Sequence, residues 1–195
     1  MSDSVSFEST RRRLTAKQAD TIQRLSNAAL AVLARDGFGG LTIRLVAAEA
    51  GVGAATAYTY FSSKEHLIAE VFWRRLASSA ESTATNAQPP LERVIAVLRH
   101  IALLVANEPE LAGAVTNALL GRDPDVEHLR DRIAREIRRR LVDAVGADRP
   151  ECGDLVESLE LLYTGALVHA GMGYVTYTEI ADRLERSVRL LFGER

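Results

Sequence analysis

Along most of this 195-residue chain the apolar residues recur every three or four positions, which is the spacing of one face of an α-helix. Ile22, Leu25, Ala29, Val32 and Leu33 form such a face between Ala16 and Asp36, with Thr15 as N-cap and Gly37 as a left-handed stop. A short second helix is predicted after Thr42, whose hydroxyl can take a first-turn amide. It buries Ile43, Val46 and Ala47 and ends at Gly51. Gly51-Val52-Gly53 reads as a turn, and Ala54 to Phe61 as a third helix too short to persist unless packed on its neighbours. The three together predict a helix-turn-helix. A fourth helix opens at Ser63, passes Phe72, Trp73 and Leu76, and fades in SSAESTATNAQPP, the one candidate linker. Further helices are predicted at about 90–106, 109–120, 125–145, 152–172 and 177–192. The prolines at 89, 90, 109, 124 and 150 fall in the breaks between them. No run alternates at period two and no Asn-Gly or Asp-Gly joins two such runs, so the fold is predicted to be all-α, with about nine helices and no strand.

Composition narrows the class. At 47% hydrophobic and 26% charged residues the chain resembles a folded globular protein and not a disordered one. The lone Cys152 permits no intramolecular disulfide, and no Cys/His cluster has zinc spacing; neither a metal nor a cofactor is expected. The first thirty residues lack a secretory apolar segment. The apolar stretch from Leu161 to Val175 is broken by His169 and preceded by Glu157 and Glu160, short of the roughly 20 residues a membrane span needs. A buried helix and a cytoplasmic location are expected, with no membrane partner. Net charge is −2, divided into ten basic against eight acidic residues over 1–86 and fourteen against eighteen over 87–195. The four histidines lack HExxH spacing, and no Gly-x-Ser-x-Gly, P-loop or dinucleotide fingerprint occurs, so no catalytic residue is named and no enzyme is expected.

The densest local signal is LTIRLVAAEAGVGAATAYTYFSSKEHLIAEVF, residues 41–72. Thr42, Arg44, Val46, Ala47, Gly51, Val52, Tyr58, Tyr60, Phe61 and Lys64 stand where the TetR family carries Thr-x-Arg-x-Ile-Ala, Gly-Val and Tyr-x-Tyr/His-Phe-x-x-Lys; the segment resembles that family's DNA-binding domain. The resemblance covers about residues 15–72 and implies that Ala54 to Tyr60 is the recognition helix. Thr56, Tyr58 and Thr59 are hydroxyl carriers among Ala54, Ala55 and Ala57, a background that lets backbone approach DNA. Tyr58 and Tyr60 would donate to phosphates, Lys64 would neutralise one, and Arg44 would reach a base edge or a neighbouring phosphate. Ala57 departs from the leucine usual before the first tyrosine, which shifts base readout toward Arg44, Thr56, Thr59 and DNA shape. Arg11-Arg12-Arg13 reads either as a solvated tail or as an arm reaching the minor groove. The predicted organisation is a flexible basic arm over 1–14, a helix-turn-helix DNA-binding domain over 15–62, and a helical bundle for ligand binding and dimerisation over 63–195. A helical ligand-binding or enzymatic bundle without DNA binding is the rival, and it leaves the Thr42-to-Lys64 pattern unexplained.

The resemblance also implies a homodimer on a palindromic operator in double-stranded DNA, released by a small effector that swings the fourth helix. Gly165, Ala166, Ala170 and Gly173 offer close helix approach, and with Leu162 and His169 form the eighth helix's candidate dimer face; Leu159 and Leu167 add apolar area. Ile180, Leu184, Val188 and Leu191 continue that face on the ninth helix, with plain intramolecular core as the competing reading. Candidate effector contacts are Phe72, Trp73, Leu76, His100, Leu104, Asn117, Leu120 and Tyr163, a mostly apolar set suited to a small hydrophobic ligand. His100 and Asn117 stand out because a polar group inside an apolar face needs a partner. Pro109-Glu110-Leu111 and the closing Ala181-x-x-Leu184 to Leu191-Phe192-Gly193 resemble repressors of sterol and lipid catabolism, which implies a hydrophobic or acyl-carrier-linked inducer. The run Arg135 to Arg140 reads as a solvated face with Asp131–Arg135 and Glu136–Arg140 pairs.

Overall fold

The computed structural model describes residues 16–79 and 88–194. Among the described residues there are nine helices and no strand: α1 (Ala16–Gly40), α2 (Ile43–Glu49), α3 (Ala54–Tyr60), α4 (Lys64–Ser78), α5 (Pro90–Leu103), α6 (Pro109–Leu120), α7 (Pro124–Val145), α8 (Cys152–Gly171) and α9 (Tyr177–Leu191). The expected Thr15 cap and the Arg11–Arg13 arm lie outside the described residues. Pro90, Pro109 and Pro124 each open a helix, where a missing amide proton costs nothing because that amide has no intrahelical acceptor. Gly37 breaks α1 at φ +66°, as its left-handed stop requires, yet helical turn resumes over 38–40 before Leu41.

α1, α2 and α3 close on a small core that includes Leu25, Leu33, Val46 and Phe61. α4 leaves this unit and enters the bundle, packing on α1, α6 and α7. Its residues 67–72 are all buried in succession, which an exposed amphipathic helix would not permit. α5 packs on α9 and α7, while α8 lies against α6, α7 and α9. One apolar cluster runs continuously from Ile22 to Val188, so the two units share a core.

The α9 stripe corrects one expectation. Ile180, Leu184 and Val188 are at most 1% exposed in the single chain and Ala170 is also buried, so none of them is available to a second copy. The apolar face of α5 needs a partner, and the single stripe of α9 covers it. A second difference concerns the basic run. Arg140 is a buried residue, 5% exposed, and not part of a solvated face. It does pair with Glu136, Nε to Oε1 at 2.7 Å, and it also donates to the carbonyl of Leu76 at 2.8 Å and the hydroxyl of Ser79 at 3.2 Å. Arg135 donates to the main-chain carbonyl of Asp131, not to its carboxylate.

Arg140 and Arg75 therefore hold the C-terminal end of α4: Arg75 reaches the carbonyl of Leu104 at 2.9 Å and Glu108 at 2.6 Å. Truncating Arg140 removes its bonds to the Leu76 carbonyl, the Ser79 hydroxyl and Glu136, although the Leu76 carbonyl still accepts from Ser79 Oγ at 2.7 Å and Glu136 still pairs with Arg139 at 2.9 Å. Because those partners remain, Arg140→Ala is expected to lower unfolding free energy by about 2 kcal/mol in urea titration. A loss under about 1 kcal/mol would show that the clamp is dispensable.

Candidate DNA-reading surface and ligand cavity

The helix-turn-helix is set by caps and one arginine. Thr42 Oγ1 accepts from the amide of Leu45 at 3.2 Å and starts α2. Gly51 turns the chain at φ +62°, a conformation side chains rarely adopt. Arg24 of α1 donates to the carbonyls of Ala50 at 2.6 Å and Gly51 at 3.1 Å, fixing the turn from behind. Arg24 is functional support that sequence reasoning missed, because its partners lie 26 and 27 residues away.

On α3, Ala54, Ala55, Thr56, Tyr58 and Thr59 are exposed, Tyr60 is half-buried, and Ala57 is buried completely. The alanine that replaces leucine at 57 therefore belongs to the packing side and leaves the outward face untouched. Arg44 is exposed on α2. Thr59 Oγ1 bonds back to the carbonyl of Ala55 at 3.0 Å. Among the described residues the polar ends of Arg44, Thr56, Tyr58 and Tyr60 have no protein partner. Lys64 differs: its ammonium donates to the carbonyl of Phe38 at 2.8 Å and lies 4.3 Å from the centre of the Phe38 ring. It ties α4 to the end of α1.

A second tie runs through Asp123, which sequence reasoning did not single out. Ser63 Oγ accepts from the amide of His66 at 3.0 Å, capping α4, and donates to Asp123 Oδ2 at 2.6 Å. Asp123 Oδ1 accepts from the amide of Asp125 at 2.8 Å and caps α7. Two helix caps thus share one hydrogen-bonded pair. The His66 ring packs beside Phe61 and His128, and burial lowers its proton affinity, partly opposed by Glu70.

Inside the bundle is a cavity of about 440 Å³, walled by α4 to α9. Phe72, Leu120 and Tyr163, all expected contacts, line it together with Val115, Leu119, Ile133, Ile137, Leu167 and Tyr177. The other five expected contacts lie elsewhere. Trp73 sits under the Arg132 guanidinium at 4.5 Å, and Leu76 is packed in the core. The carbonyl of Leu104 serves Arg75, and Asn117 is exposed with its carbonyl accepting from Gly121. His100 Nε2 is sealed away without a partner, and burial, then Arg140, lowers the proton affinity of the ring. The polar groups of the wall are instead Thr116, Arg130, Glu160, Tyr163, Thr164 and Tyr177. Arg130 donates to the carbonyls of Leu119 at 2.8 Å and Gly121 at 2.6 Å, closing the end of α6. Glu160 is held by Arg138 at 2.6 Å.

Outside, Leu161 of α8, Met172 and Tyr174 of the turn that follows it, and Leu190 and Leu191 of α9 are large apolar residues left exposed. Gly165, His169 and Gly173 are exposed with them, and Leu162 and Ala166 are half-buried. Among the described residues no group of three or more His, Cys, Asp or Glu is placed to hold a metal ion, and no helix is long and apolar enough to cross a membrane.

Comparison with known proteins agrees with this geometry. Residues 25–71 match the family model described as bacterial regulatory proteins, tetR family, and residues 88–191 match the tetracyclin repressor-like C-terminal domain. The chain is 48% identical over 177 residues to an uncharacterised HTH-type transcriptional regulator of Mycobacterium tuberculosis, covering 90% of this chain and 82% of that one. It is 28% identical over 181 residues to the HTH-type transcriptional repressor KstR of Rhodococcus jostii, covering 91% and 85%. Among solved structures, a TetR transcriptional regulator from Rhodococcus sp. RHA1 superposes with a TM-score of 0.71 at 22% identity, covering 87% of this chain and 96% of that one. The regulator FadR from Bacillus subtilis, in complex with stearoyl-CoA, superposes at 0.67 with 15% identity, covering 85% and 96%.

The Lys64 contact separates a positional role from a phosphate contact. Lys64→Ala is expected to cost about 1 kcal/mol of stability. The slope of log affinity for DNA against log salt should stay unchanged; a slope shallower by about 0.9 would instead mark Lys64 as a phosphate ligand.

Proposed function

Because the chain belongs to the TetR family of bacterial regulatory proteins, we propose a division of labour among its parts that begins at α3. The protein is a helix-turn-helix transcriptional regulator and not an enzyme. The observation that carries the proposal is the outward face of α3. Ala54, Ala55, Thr56, Tyr58 and Thr59 stand exposed on a unit whose other sides are packed, with Arg44 beside them and Tyr60 at the edge. Such a face meets the major groove, with Arg44 and Thr56 toward base edges and the tyrosines toward phosphates. We propose a cytoplasmic homodimer acting as a repressor, its two α3 helices about one DNA turn (~34 Å) apart on a palindrome. The surface suited to the second copy comprises the exposed apolar residues of α8, α9 and the turn between them, Leu161, Met172, Tyr174, Leu190 and Leu191, together with the exposed Gly165, His169 and Gly173. Leu162 and Ala166 border it.

The cavity is proposed to hold a small hydrophobic effector, as its lining of apolar side chains favours. A fold neighbour that carries stearoyl-CoA and a relative named as a repressor support that reading. α6 contributes Val115, Thr116, Leu119 and Leu120 to the wall and also packs on α1 and α4. An effector that spreads α6 from α7 would displace α4 through Phe72 and through the Ser63–Asp123 tie, and α3 with it. Effector and DNA then oppose one another by about 1 to 3 kcal/mol.

Gel shift with the DNA flanking the protein's own gene tests the reading, and specific, salt-dependent binding is expected. Arg44→Ala should weaken it by about 1 to 3 kcal/mol and relax sequence preference. No specific binding at any salt concentration would sink the proposal. In sedimentation, Leu161→Glu with Met172→Glu should give monomers at concentrations where the unaltered chain is a dimer. If the double variant still dimerises, the interface lies elsewhere.

A further inference from the structure

α6, α8 and α9 meet at one side of the cavity. Three hydroxyls gather there, those of Thr116, Tyr177 and Tyr163. Tyr177 and Thr116 lie 2.8 Å apart, and both reach the carbonyl of Ala112, at 2.9 and 3.0 Å. Two hydroxyls have two protons for these three contacts, so neither has a proton left to donate. Tyr163 is different. Its side chain is only 5% exposed, and among the described residues its hydroxyl has no hydrogen-bond partner. Nor is that hydroxyl sealed in packed protein: among the described residues the partnerless side-chain polar atoms buried away from any water-sized space are Glu70 Oε2 and His100 Nε2. The Tyr163 hydroxyl therefore opens on the cavity it lines.

The charges of the wall do not change this. Arg130 and Glu160 are opposite in sign and already engaged, one with the end of α6 and the other with Arg138. The exposed members of the lining, where the cavity meets solvent, are Leu120, Ala134 and Thr164. Burial, with Tyr177 adding to it, pushes the Tyr163 phenol far up, so it stays protonated and remains a donor.

We propose that Tyr163 forms an oxygen-acceptor subsite. The effector's leading end is apolar and uncharged and carries a carbonyl, ester or ether oxygen that takes the Tyr163 proton. Any ionised head stays at the rim, where water still reaches. This rests on the cavity being the effector site. It adds a demand that an apolar lining alone does not make: hydrocarbons of the same shape bind more weakly, because they leave a buried hydroxyl unpaired.

A near-isosteric pair tests it, 4-acetylbiphenyl against 4-ethylbiphenyl, titrated calorimetrically into the full chain and into Tyr163→Phe. The ketone is expected to bind the unaltered chain about tenfold more tightly than the hydrocarbon, a difference of about 1.4 kcal/mol. In Tyr163→Phe that preference should fall to about twofold or less, with hydrocarbon affinity held or improved. The variant breaks no protein hydrogen bond, so its melting temperature should not fall. Equal affinities in the unaltered chain, or a ketone preference that survives Tyr163→Phe, would overturn the subsite while leaving the cavity as a hydrophobic ligand site. If neither compound binds, the subsite falls together with the effector reading of the cavity.

Discussion

Everything in this protein hangs on α4 carrying one shared core from the helix-turn-helix unit into the bundle. A helix buried at residues 67 to 72 in succession has no solvent side along that stretch, so its position is dictated jointly by α1, α6 and α7. Apolar packing is non-directional and does not fix how far a helix slides along its axis. Directional bonds do so at both ends. Ser63 and Lys64 hold the start, through Asp123 and the Phe38 carbonyl, and Arg75 and Arg140 hold the last turn. The helix that meets the cavity at Phe72 is thus the same one whose N-cap touches the end of the reading unit.

This arrangement explains why so many arginines of the bundle face inward or along the protein and not toward a ligand. Arg130 closes α6 and Arg140 closes α4, each by giving protons to carbonyls that a helix end leaves unpaired. A basic run in a sequence is compatible with a solvated face, an anion site or a set of helix clamps. Only the carbonyls' locations distinguish them. Arg24 does the same for α2, holding Ala50 and Gly51 so that α3 leaves the turn at a fixed angle.

The helix-turn-helix was legible because its information is local. Thr42 as a cap, Gly51 as a turn, buried Ile43, Val46 and Ala47, and the exposed hydroxyls of α3 all follow from positions within about twenty residues of one another. The cavity was legible only in part. Phe72, Leu120 and Tyr163 line it, but His100 was expected there on the ground that a buried polar group needs a partner, and it has none. The α7 wall, Ile133 and Ile137, carried the same helical period as any core residue, so nothing local marked it as facing a void.

By itself the sequence determined the all-α class, the helix boundaries to within a few residues, and the residue types offered on α3, because caps, glycine turns, prolines and a 3.6-residue period act over a single helix. Tertiary structure decided which of two apolar stripes is core and which is surface. Ile180, Leu184 and Val188 went to α5, while Leu161, Met172 and Leu190 were left outside. It also decided that Asp123, the cap of α7, is bonded to Ser63, the cap of α4, and that, among the described residues, Tyr163 keeps an unpaired hydroxyl. An apolar period says that a face must be covered, and a hydroxyl that it prefers a partner. Neither says by what, since the covering groups lie tens of residues away and are brought there only by the packing of the whole chain.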